Sequence, residues 1–530
     1  MERIRLRPLV LAAALGAISL VPMSVSSVFA SDAHHEIASG SSFAFRQVMP
    51  ALLPNSKENT SVIAQNNGSA PATIVMDVYT PAGVAIPSAS VPYTNVPPGA
   101  TRVFAQAINT GLVQGFRGVG VLSSDQPINA LLVRDIEQQG TGAKSYSIHN
   151  AYASGGSKVT LPYVANNLAG TFNTRFAIAN TGSATACVTI TYAFPGGSQA
   201  PYTDNGPGGS GCSGGYPVPV NGQVSFAPTS VDGALPMPSA TAGAIMAATV
   251  NATGAPVTVA VDAYLSSGLR KLASYDGFVV DADPNSTTDD VGKNIIIPLA
   301  AKISGFYTQI LLSNPNSAAA TATITYKDGT SGATYPVTLS VAANGTASHS
   351  VYESTGGIPE GFVGSATVTS DQPLAAVVFR SKMTSPGSFV DEDLYTAANG
   401  IPADRATTTA KLPLIFRRAY KSGLASGYNT WVSVAVADGS TANVTLTSIN
   451  DTSNQAPGCN AAATYTTTRA VTGSFIFYQN ADSDNGFGQN PTCFWGGMTI
   501  TSDKPIIAIS DATNDLASGD NDGLYNAFGS

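Results

Sequence analysis

The chain repeats itself four times, and matching positions recur roughly every 110–140 residues. Each copy opens with an apolar residue followed by proline, and each carries near its end a short polar segment that finishes in proline. The opening steps are Met49-Pro50, Leu161-Pro162, Ile297-Pro298 and Leu412-Pro413, and the polar segments are residues 124–127, 253–256, 370–373 and 502–505. Solenoid and propeller repeats have periods of about 20–50 residues, so this longer spacing predicts an array of whole domains.

Inside each copy, apolar residues alternate with polar ones. In the third copy Ala322, Ile324 and Tyr326 interleave with threonines, and residues 187–192 and 444–447 repeat the pattern. A period of two places the apolar side chains on one face of a half-buried antiparallel strand. Turns rich in Asn, Gly and Ser precede these strands, at residues 64–69, 179–183, 313–317 and 437–440.

The end of each copy predicts one more hairpin. A glycine opens it (Gly118, Gly243, Gly364 or Gly497), and the proline-ended segment is expected to form its turn. In the third copy this hairpin joins residues 365–368 to residues 374–379. A further segment that contains tyrosine follows in all four copies, at Tyr146, Tyr275, Tyr395 and Tyr525.

Seven or so short strands in about 110–130 residues, with no amphipathic helix, predict a two-sheet β-sandwich in each copy. The predicted fold class is therefore all-β, with sandwich domains at residues 48–155, 156–290, 291–405 and 406–530. A β-propeller with two or three blades per copy is the alternative. It is disfavoured because blades repeat at about 40–50 residues and no such period occurs within a copy.

Together, these turns, the alternating Val/Thr/Ile/Tyr strands and a later Gly-containing turn resemble the immunoglobulin-like repeats of bacterial secreted and cell-surface proteins. The later turn lies at residues 98–100, 221–223, 344–346 and 472–474. The resemblance covers nearly all of residues 48–530. It implies four tandem immunoglobulin-like sandwiches and an extracellular structural, adhesive or glycan-contacting role, without indicating any binding residue.

Residues 1–30 have the features of a cleaved secretory signal peptide. Arg3, Arg5 and Arg7 precede an apolar run at residues 9–21, and small residues lie near Ala30. The run is shorter than the ~20 residues that span a bilayer. We therefore expect an N-terminal linker at residues 31–47 and a mature chain without a membrane span, secreted, at the cell surface or in the periplasm.

The charge of the chain argues against nucleic acid as a partner. Its net charge is -8, its pI is about 5.0, and its Lys and Arg residues form no dense block. At 43% hydrophobic residues, the chain has enough apolar material for several cores.

The four cysteines fall two and two into the second and fourth copies. Four cysteines allow three pairings, and only Cys187 with Cys212 and Cys459 with Cys493 keeps both bonds within single domains. Export permits this oxidation, so we predict two intradomain disulfides. A zinc site is disfavoured because no histidine lies near a cysteine in the sequence.

Acidic loops are the candidate metal sites. Asp482 and Asp484 lie in an Asp/Asn-rich loop, and Asp520 and Asp522 lie near the end of the chain. Such oxygen-rich segments suit Ca²⁺, although none has the full twelve-residue EF-hand pattern, and solvated turns are the competing interpretation. No other cofactor is expected.

The sequence contains no nucleophile elbow, zinc helix or phosphate loop, so we expect no enzyme activity. The leading hypothesis is a non-catalytic structural or adhesive protein, an extended array able to self-associate in a surface layer or filament. The alternative is an array that binds extracellular glycans through exposed aromatic side chains. Of the two tryptophans, Trp431 is expected in a core and Trp495 against a disulfide.

The joints between copies have the composition of flexible linkers, as at residues 153–157 and 398–402. The sequence therefore predicts no fixed orientation between domains. It also predicts that fragments cut near residues 155, 290 and 405 fold separately.

Overall fold

In the computed structural model the chain is all-β. The structure describes residues 45–52, 58–137, 144–170, 172–195, 199–209, 211–230, 233–265, 271–280, 289–353, 355–382, 395–419, 427–449, 464–481, 493–514, 519–520 and 522–529. Short 3-10 helices occur at Pro87–Ala89, Gln106–Ile108, Ser239–Thr241 and Ala403–Arg405. The predicted signal peptide lies outside the described residues. Within them, no helix is long and apolar enough to cross a membrane.

The strands fall into four successive sets, called repeats 1 to 4. Those of repeat 1 are β1 (Phe45–Leu52), β2 (Glu58–Asn66), β3 (Ala72–Tyr79), β4 (Val91–Val96), β5 (Thr101–Ala105), β6 (Gly118–Ser124), β7 (Ile128–Glu137) and β8 (Lys144–Asn150). Those of repeat 2 are β9 (Lys158–Asn166), β10 (Phe172–Asn180), β11 (Ala186–Ala193), β12 (Tyr202–Asp204), β13 (Tyr216–Val218), β14 (Gln223–Ala227), β15 (Leu235–Pro236), β16 (Ala244–Thr253), β17 (Val257–Leu265), β18 (Lys271–Asp276) and β19 (Phe278–Val279).

Repeats 3 and 4 each contain one strand of 21 residues. Repeat 3 consists of β20 (Gly292–Ile303), β21 (Phe306–Ser313), β22 (Ala320–Asp328), β23 (Thr334–Val341), β24 (Thr346–Ser350), β25 (Phe362–Lys382), β26 (Tyr395–Asn399) and β27 (Ile401–Pro402). Repeat 4 consists of β28 (Thr407–Arg417), β29 (Tyr428–Val436), β30 (Thr441–Ile449), β31 (Thr464–Thr472), β32 (Ser474–Tyr478), β33 (Phe494–Asn514), β34 (Gly519–Asp520), β35 (Asp522–Asn526) and β36 (Phe528–Gly529).

All four repeats share one strand order in two sheets. The first sheet runs β4-β3-β6-β1 in repeat 1, β12-β11-β16-β9 in repeat 2, β23-β22-β25-β20 in repeat 3 and β31-β30-β33-β28 in repeat 4. The second sheet runs β5-β2-β7-β8, β14-β10-β17-β18, β24-β21-β25-β26 and β32-β29-β33-β35. Each strand therefore has a position, first to eighth, that can be compared between repeats.

This order differs from that of an immunoglobulin domain, most clearly in its first and seventh strands. In the immunoglobulin sandwich the first strand pairs with the second, and the seventh pairs with the sixth. Here the first-position strand pairs with the sixth, and the seventh pairs with the second. The two strands have exchanged sheets, so the predicted closing hairpin is wrong. β25 and β33 instead run continuously from the first sheet into the second.

The proline-ended segment is the crossing point between the sheets rather than a hairpin turn. Its aspartate accepts a hydrogen bond from the start of the third-position strand, as Asp371 Oδ1 does from the Thr321 amide at 2.9 Å. Asp125 and Asp503 repeat this contact with the amides of Thr73 and Asn443. These contacts fix the crossing to the first sheet in repeats 1, 3 and 4, whereas repeat 2 has Gly254 in place of the aspartate.

A buried asparagine is the last residue of the second-position strand in repeats 1 and 2, at Asn66 and Asn180, and directly follows that strand in repeat 3, at Asn314. Asn180 Nδ2 donates to the carbonyls of Ala184 and Val218 at 2.7 and 2.8 Å. The equivalent residue of repeat 4, opposite Ile506 of β33, is Val436. There the Ser440 amide instead donates to Asp438 Oδ1 at 2.9 Å.

The cysteine prediction is met where the structure describes both residues. Cys187 and Cys212 form a disulfide that ties the loop after β12 to β11. Cys493 is also disulfide-bonded, but Cys459 lies outside the described residues, so that pairing stays a prediction.

The four repeats form a closed ring rather than an extended array. The first-position strand of each repeat packs on the second sheet of the next: β1 on β10 and β17, β9 on β21 and β25, β20 on β29 and β33, and β28 on β2 and β7. The last of these contacts returns to repeat 1. At the second junction Thr160 Oγ1 lies 3.1 Å from Ser313 Oγ, and Lys158 Nζ donates to the Pro315 carbonyl at 2.8 Å.

The joints expected to be flexible are packed into this ring. The Gly156 amide donates to the Val257 carbonyl, and a Cβ on Gly155 would lie 2.4 Å from the same oxygen. Residues 398–399 end β26, residues 401–402 form β27, and the Gly400 amide between them donates to the Ala376 carbonyl at 2.7 Å. Repeat orientation is therefore fixed by close contacts that composition alone did not reveal.

Candidate functional site

The eighth-position strands of the four repeats meet at the centre of the ring. β8 packs against β18, β18 against β26, β26 against β35, and β35 against β8. Each strand ends in a residue with a side-chain carbonyl or carboxylate: Asn150, Asp276, Asn399 and Asn526. We call these four residues the axial ring.

Each member of the axial ring hydrogen-bonds to its neighbours. The Asn399 amide donates to Asn526 Oδ1 at 3.0 Å, and Asn526 Nδ2 donates back to the Asn399 carbonyl at 2.7 Å. Asp276 and Asn399 exchange the same pair of bonds at 3.1 and 2.8 Å, with Asn399 supplying both side-chain atoms. Asn150 Nδ2 donates to the Asn526 carbonyl at 2.9 Å, and the Asn150 amide donates to Asp276 Oδ2 at 3.3 Å, which closes the circle.

Small residues follow the axial ring: Ala151, Gly277, Gly400 and Ala527. Each donates its amide to the seventh-position strand of its own repeat, over 2.7–2.9 Å. A Cβ on Gly400 would lie 2.8 Å from Ile295 Cγ2, and one on Gly277 would lie 2.7 Å from Val159 Cγ1. Close packing therefore requires a small residue directly after the axial ring.

An open cavity of about 710 Å³ lies against the axial ring and is lined by all four repeats. Its walls include Tyr152, Phe278, Ile401 and Phe528, which occupy equivalent positions two residues after the axial ring. This volume falls in the range of small-molecule sites, about 300–1,000 Å³. We call it the axial cavity.

The axial cavity is acidic. Asp276, Asp290 and Asp404 line it together with a single arginine, Arg405. Arg405 Nε donates to the Asp289 carbonyl at 3.1 Å. Burial raises the pKa of Asp290 to about 6, against the opposing effects of the Val279 amide and Arg405. The cavity can therefore accept hydrogen bonds from a ligand, beside aromatic and aliphatic walls.

Asp520 ties repeat 4 to the other three repeats. Its strand, β34, pairs in parallel with β8 of repeat 1. Its carboxylate accepts hydrogen bonds from the Leu272 amide of repeat 2 and the Tyr395 amide of repeat 3, at 2.7 and 2.8 Å. Asp520 is 1% exposed, so both bonds are shielded from water.

Buried charges join repeat 1 to repeat 2. Arg134 pairs with Asp262, and His149 lies between Asp262 and Asp276 at 3.1 and 3.2 Å. Burial alone would lower the pKa of His149, but its hydrogen bonds to the two carboxylates outweigh burial and raise it. Arg134 and His149 offset the effect of burial on Asp262 and hold its pKa well below the ordinary value.

The junction between repeats 3 and 4 repeats this arrangement. Arg380 pairs with Asp511 and also donates to Asp522 Oδ2 at 2.5 Å. Burial and the neighbouring Asp511 raise the pKa of Asp522 to about 8. The two carboxyl groups therefore hold a shared proton near neutral pH.

At the other two junctions aromatic and aliphatic side chains pack together, beside lysine-to-carbonyl hydrogen bonds from Lys158 and Lys411. Between repeats 2 and 3, Phe379 packs on Tyr163 and stacks on Tyr395, with ring centroids 5.0 and 5.4 Å apart. Between repeats 4 and 1, Leu131, Val133 and Tyr146 join the core of repeat 4. Charged and apolar junctions thus alternate around the ring.

The predicted metal residues have other roles where the structure describes them. Asp520 accepts backbone amides and Asp522 pairs with Arg380, while Asp482 and Asp484 lie outside the described residues. Among the described residues, no group of three or more His, Cys, Asp or Glu side chains is placed to hold a metal ion.

Of the two tryptophans, Trp495 is buried, but Trp431 is not the core residue that its strand predicted. Trp431 is 37% exposed and lies against Tyr478, with ring centroids 4.3 Å apart.

Sequence reasoning missed the axial ring, although the signal is present. Each repeat ends in Asn or Asp, then Ala or Gly, then a large apolar or aromatic residue, at residues 150–152, 276–278, 399–401 and 526–528. Aligning the four copies at these positions would have identified the axial ring.

No protein-family model and no curated protein matches the chain. Among solved structures, one titled as a tetra-tandem repeat in the extending region of a large adhesion protein aligns with 91% of this chain and 97% of its own, at 13% identity. Its TM-score of 0.11 is too low to support a common fold, so the function is argued from the chain itself.

Replacing Asp520 by alanine should destabilise the ring. The Leu272 and Tyr395 amides would lose their acceptor while buried, which costs about 1–3 kcal/mol for each donor. We expect the free energy of unfolding in urea to fall by roughly 2–6 kcal/mol, with faster hydrogen exchange at both amides. Glu360→Ala, at an exposed carboxylate, is the control and should change little. Equal effects of the two substitutions would contradict the assigned role of Asp520.

Stability should fall as the pH rises through the pKa of Asp522. Because the folded state raises this pKa to about 8, the folded chain binds the proton more tightly than the unfolded chain. The resulting stabilisation is complete below the ordinary carboxyl pKa and is lost as the pH rises through about 8. Asp522→Asn, which mimics the protonated group, should match the wild type only below about pH 4, and its advantage in urea unfolding should grow as the pH rises to about 8. A wild-type advantage at pH 9 would overturn the assignment.

Proposed function

We propose that the protein is an exported, non-catalytic structural protein whose four β-sandwich repeats form one rigid ring-shaped unit. The observation that carries the proposal is the axial ring, in which every repeat hydrogen-bonds to its neighbours. A chain built for extension would not direct its recurring polar residues into a shared centre. This replaces the extended rod of the sequence hypothesis with a compact unit.

Export is supported by two features of the chain. Residues 1–30 have the pattern of a cleaved signal peptide, and the disulfide between Cys187 and Cys212 suits an oxidising compartment. We therefore place the protein outside the cell or at its surface. The non-catalytic role is supported by the use of the buried Asp, His and Arg side chains in contacts between repeats.

Cleavage of the backbone tests the ring. A protease site inserted between residues 280 and 289 of the mature chain would divide repeats 1 and 2 from repeats 3 and 4. We expect the cleaved halves to remain together in size-exclusion chromatography and to separate only in denaturant. Two junctions would still join them, the one between repeats 2 and 3 and the one between repeats 4 and 1. Halves that separate in buffer would show that the repeats are linked only by the chain.

Binding of a saccharide in the axial cavity is a second candidate function. Carboxylates suit the hydroxyl groups of a sugar, and aromatic walls suit its C–H faces. A glycan array with the mature protein should then show one preferred saccharide class. Asp404→Ala should abolish the signal, because Asp404 lines the cavity and is exposed. Signal from no class, or equal signal from the variant, would exclude this function.

A further inference from the structure

The charged junction between repeats 1 and 2 encloses a proton on a histidine. Both ring nitrogens of His149 face carboxylates, Nε2 at 3.1 Å from Asp262 and Nδ1 at 3.2 Å from Asp276. A neutral imidazole has only one N–H to donate, so both contacts are favourable only when His149 is protonated. The His149 side chain is 1% exposed, so water cannot replace a lost donor.

The other charged and titratable groups of this junction act on the two carboxylates. They are Arg134 and Arg175 beside Asp262, and Tyr152 and Asp290 beside Asp276. The Tyr152 hydroxyl donates at 2.8 Å to the same Asp276 oxygen that faces His149. Loss of the His149 proton would leave a lone pair of one ring nitrogen against a buried carboxylate, which is an unfavourable contact across the junction.

The junction between repeats 3 and 4 holds its proton on a pair of carboxyl groups. Asp511 and Asp522 both pair with Arg380, whose guanidinium lies 5.4 Å from the ring centroid of Phe306. Lys382 lies against the same ring at 5.5 Å. The Asp511 and Asp522 side chains are 2% and 1% exposed, so two ionised carboxylates on one guanidinium would leave a negative charge away from water. A proton on the pair removes that charge.

Proton release weakens both junctions as the pH rises. Burial opposes protonation of His149, but its hydrogen bonds to Asp262 and Asp276 outweigh burial and raise its pKa. Burial and the neighbouring Asp511 raise the pKa of Asp522 to about 8. A group whose pKa is raised in the closed junction stabilises it fully below the ordinary pKa of that group. This stabilisation is lost as the pH rises through the raised pKa, so both junctions weaken in the same direction.

The titratable groups at the other two junctions respond differently. Burial raises the pKa of Tyr163 and of Tyr395 above the ordinary value for tyrosine, so both hydroxyls stay neutral in mildly alkaline solution. Lys158 and Lys411 each donate to a backbone carbonyl of the next repeat. Burial lowers the pKa of both lysines, but an amine that loses its charge keeps N–H groups for a neutral carbonyl. These junctions are therefore expected to stay closed.

We propose that the ring opens at its two charged junctions when the pH rises and separates into two rigid pairs, repeats 2 with 3 and repeats 4 with 1. The charged junctions lie opposite each other in the ring. Opening one of them alone would leave three junctions to hold every repeat in place, whereas opening both releases the pairs. The pairs stay tethered by the chain between β8 and β9 and between β27 and β28. Because all four repeats line the axial cavity, the opening also divides that cavity.

Three amides of the axial ring each report on one junction, so hydrogen exchange of the mature full chain tests the opening. The Asn150 amide donates across the junction between repeats 1 and 2, the Asn399 amide across that between repeats 3 and 4, and the Asp276 amide across that between repeats 2 and 3. From about pH 6 to about pH 9, protection of Asn150 and Asn399 should fall roughly tenfold or more, after correction for the intrinsic pH dependence of exchange. Protection of Asp276 should stay within about threefold.

Two substitutions separate the contributions of the two protons. Asp522→Asn keeps a neutral group beside Asp511 at every pH, so protection of Asn399 should no longer fall, and the fall at Asn150 should become smaller. His149→Gln should give low protection of Asn150 already at about pH 6. Should His149→Gln fail to fold, Asp522→Asn still decides, because it strengthens its junction.

His349→Gln is the matched control, at a buried histidine whose Nδ1 lies 2.8 Å from the Tyr326 hydroxyl within repeat 3. It should leave the pH dependence at all three amides unchanged. Equal loss of protection at the three amides, no loss at Asn150 and Asn399, or an Asp522→Asn chain that opens like the wild type would overturn the proposal.

The inference rests on the proposed ring, and backbone cleavage between residues 280 and 289 separates the two claims. Cleaved halves that come apart at about pH 6 would contradict the ring itself. Halves that stay together, in a chain whose Asn150 and Asn399 amides keep their protection at about pH 9, would contradict only the opening.

Discussion

The ring depends on polar groups at the centre that can be satisfied only by a neighbouring repeat. A buried amide or carboxylate without a partner costs several times what an ordinary hydrogen bond contributes. Asn399 bonds to repeats 2 and 4 at once, and Asp520 bonds to repeats 2 and 3. A single excised repeat would expose these groups together with its apolar junction faces, so the separate folding suggested by sequence length is no longer expected.

The two kinds of junction have different roles: the apolar junctions mainly stabilise the ring, and the charged junctions mainly determine which repeats can be neighbours. The apolar junctions at Phe379 and Tyr146 extend the cores of repeats 2 and 4, and such burial is the main favourable contribution to folding. The charged junctions at Arg134 and Arg380 contribute less, because desolvation offsets much of the attraction. Losing one member of a buried pair is nevertheless costly, so each charged junction strongly disfavours any neighbour that lacks its partner.

The strands could be predicted from the sequence because the alternation of apolar and polar residues that specifies a strand involves only neighbouring positions. The alternation at Ala322, Ile324 and Tyr326 required only the period of two, and those residues are buried. Sheet assignment could not be predicted in this way. A polar Asp-Gln-Pro segment suits a hairpin turn, and only the pairing of β25 with two different sheets shows that residues 370–373 cross between them.

Contacts between repeats could not be predicted either, because they join residues that are far apart in the sequence and belong to different copies. Residues 153–157 read as a flexible linker because small residues serve both flexibility and close packing. Trp431 lies in an alternating strand, but its alternation places it on the outer face. The axial ring was recoverable in principle, because its sequence pattern recurs in all four copies, whereas its hydrogen bonds join residues more than a hundred positions apart.

The alternation of junctions also restricts how two chains can exchange parts. Arg134 and Arg380 occupy equivalent positions in repeats 1 and 3, and their partners Asp262 and Asp511 are equivalent in repeats 2 and 4. An exchange shifted by one repeat would place a buried arginine against an aromatic face. After a shift by two repeats, each buried arginine would again face a repeat that carries the equivalent aspartate, and each aromatic face would again meet an apolar one. Domain-swapped misassembly should therefore move repeats in pairs, which makes the pair the effective unit of this ring.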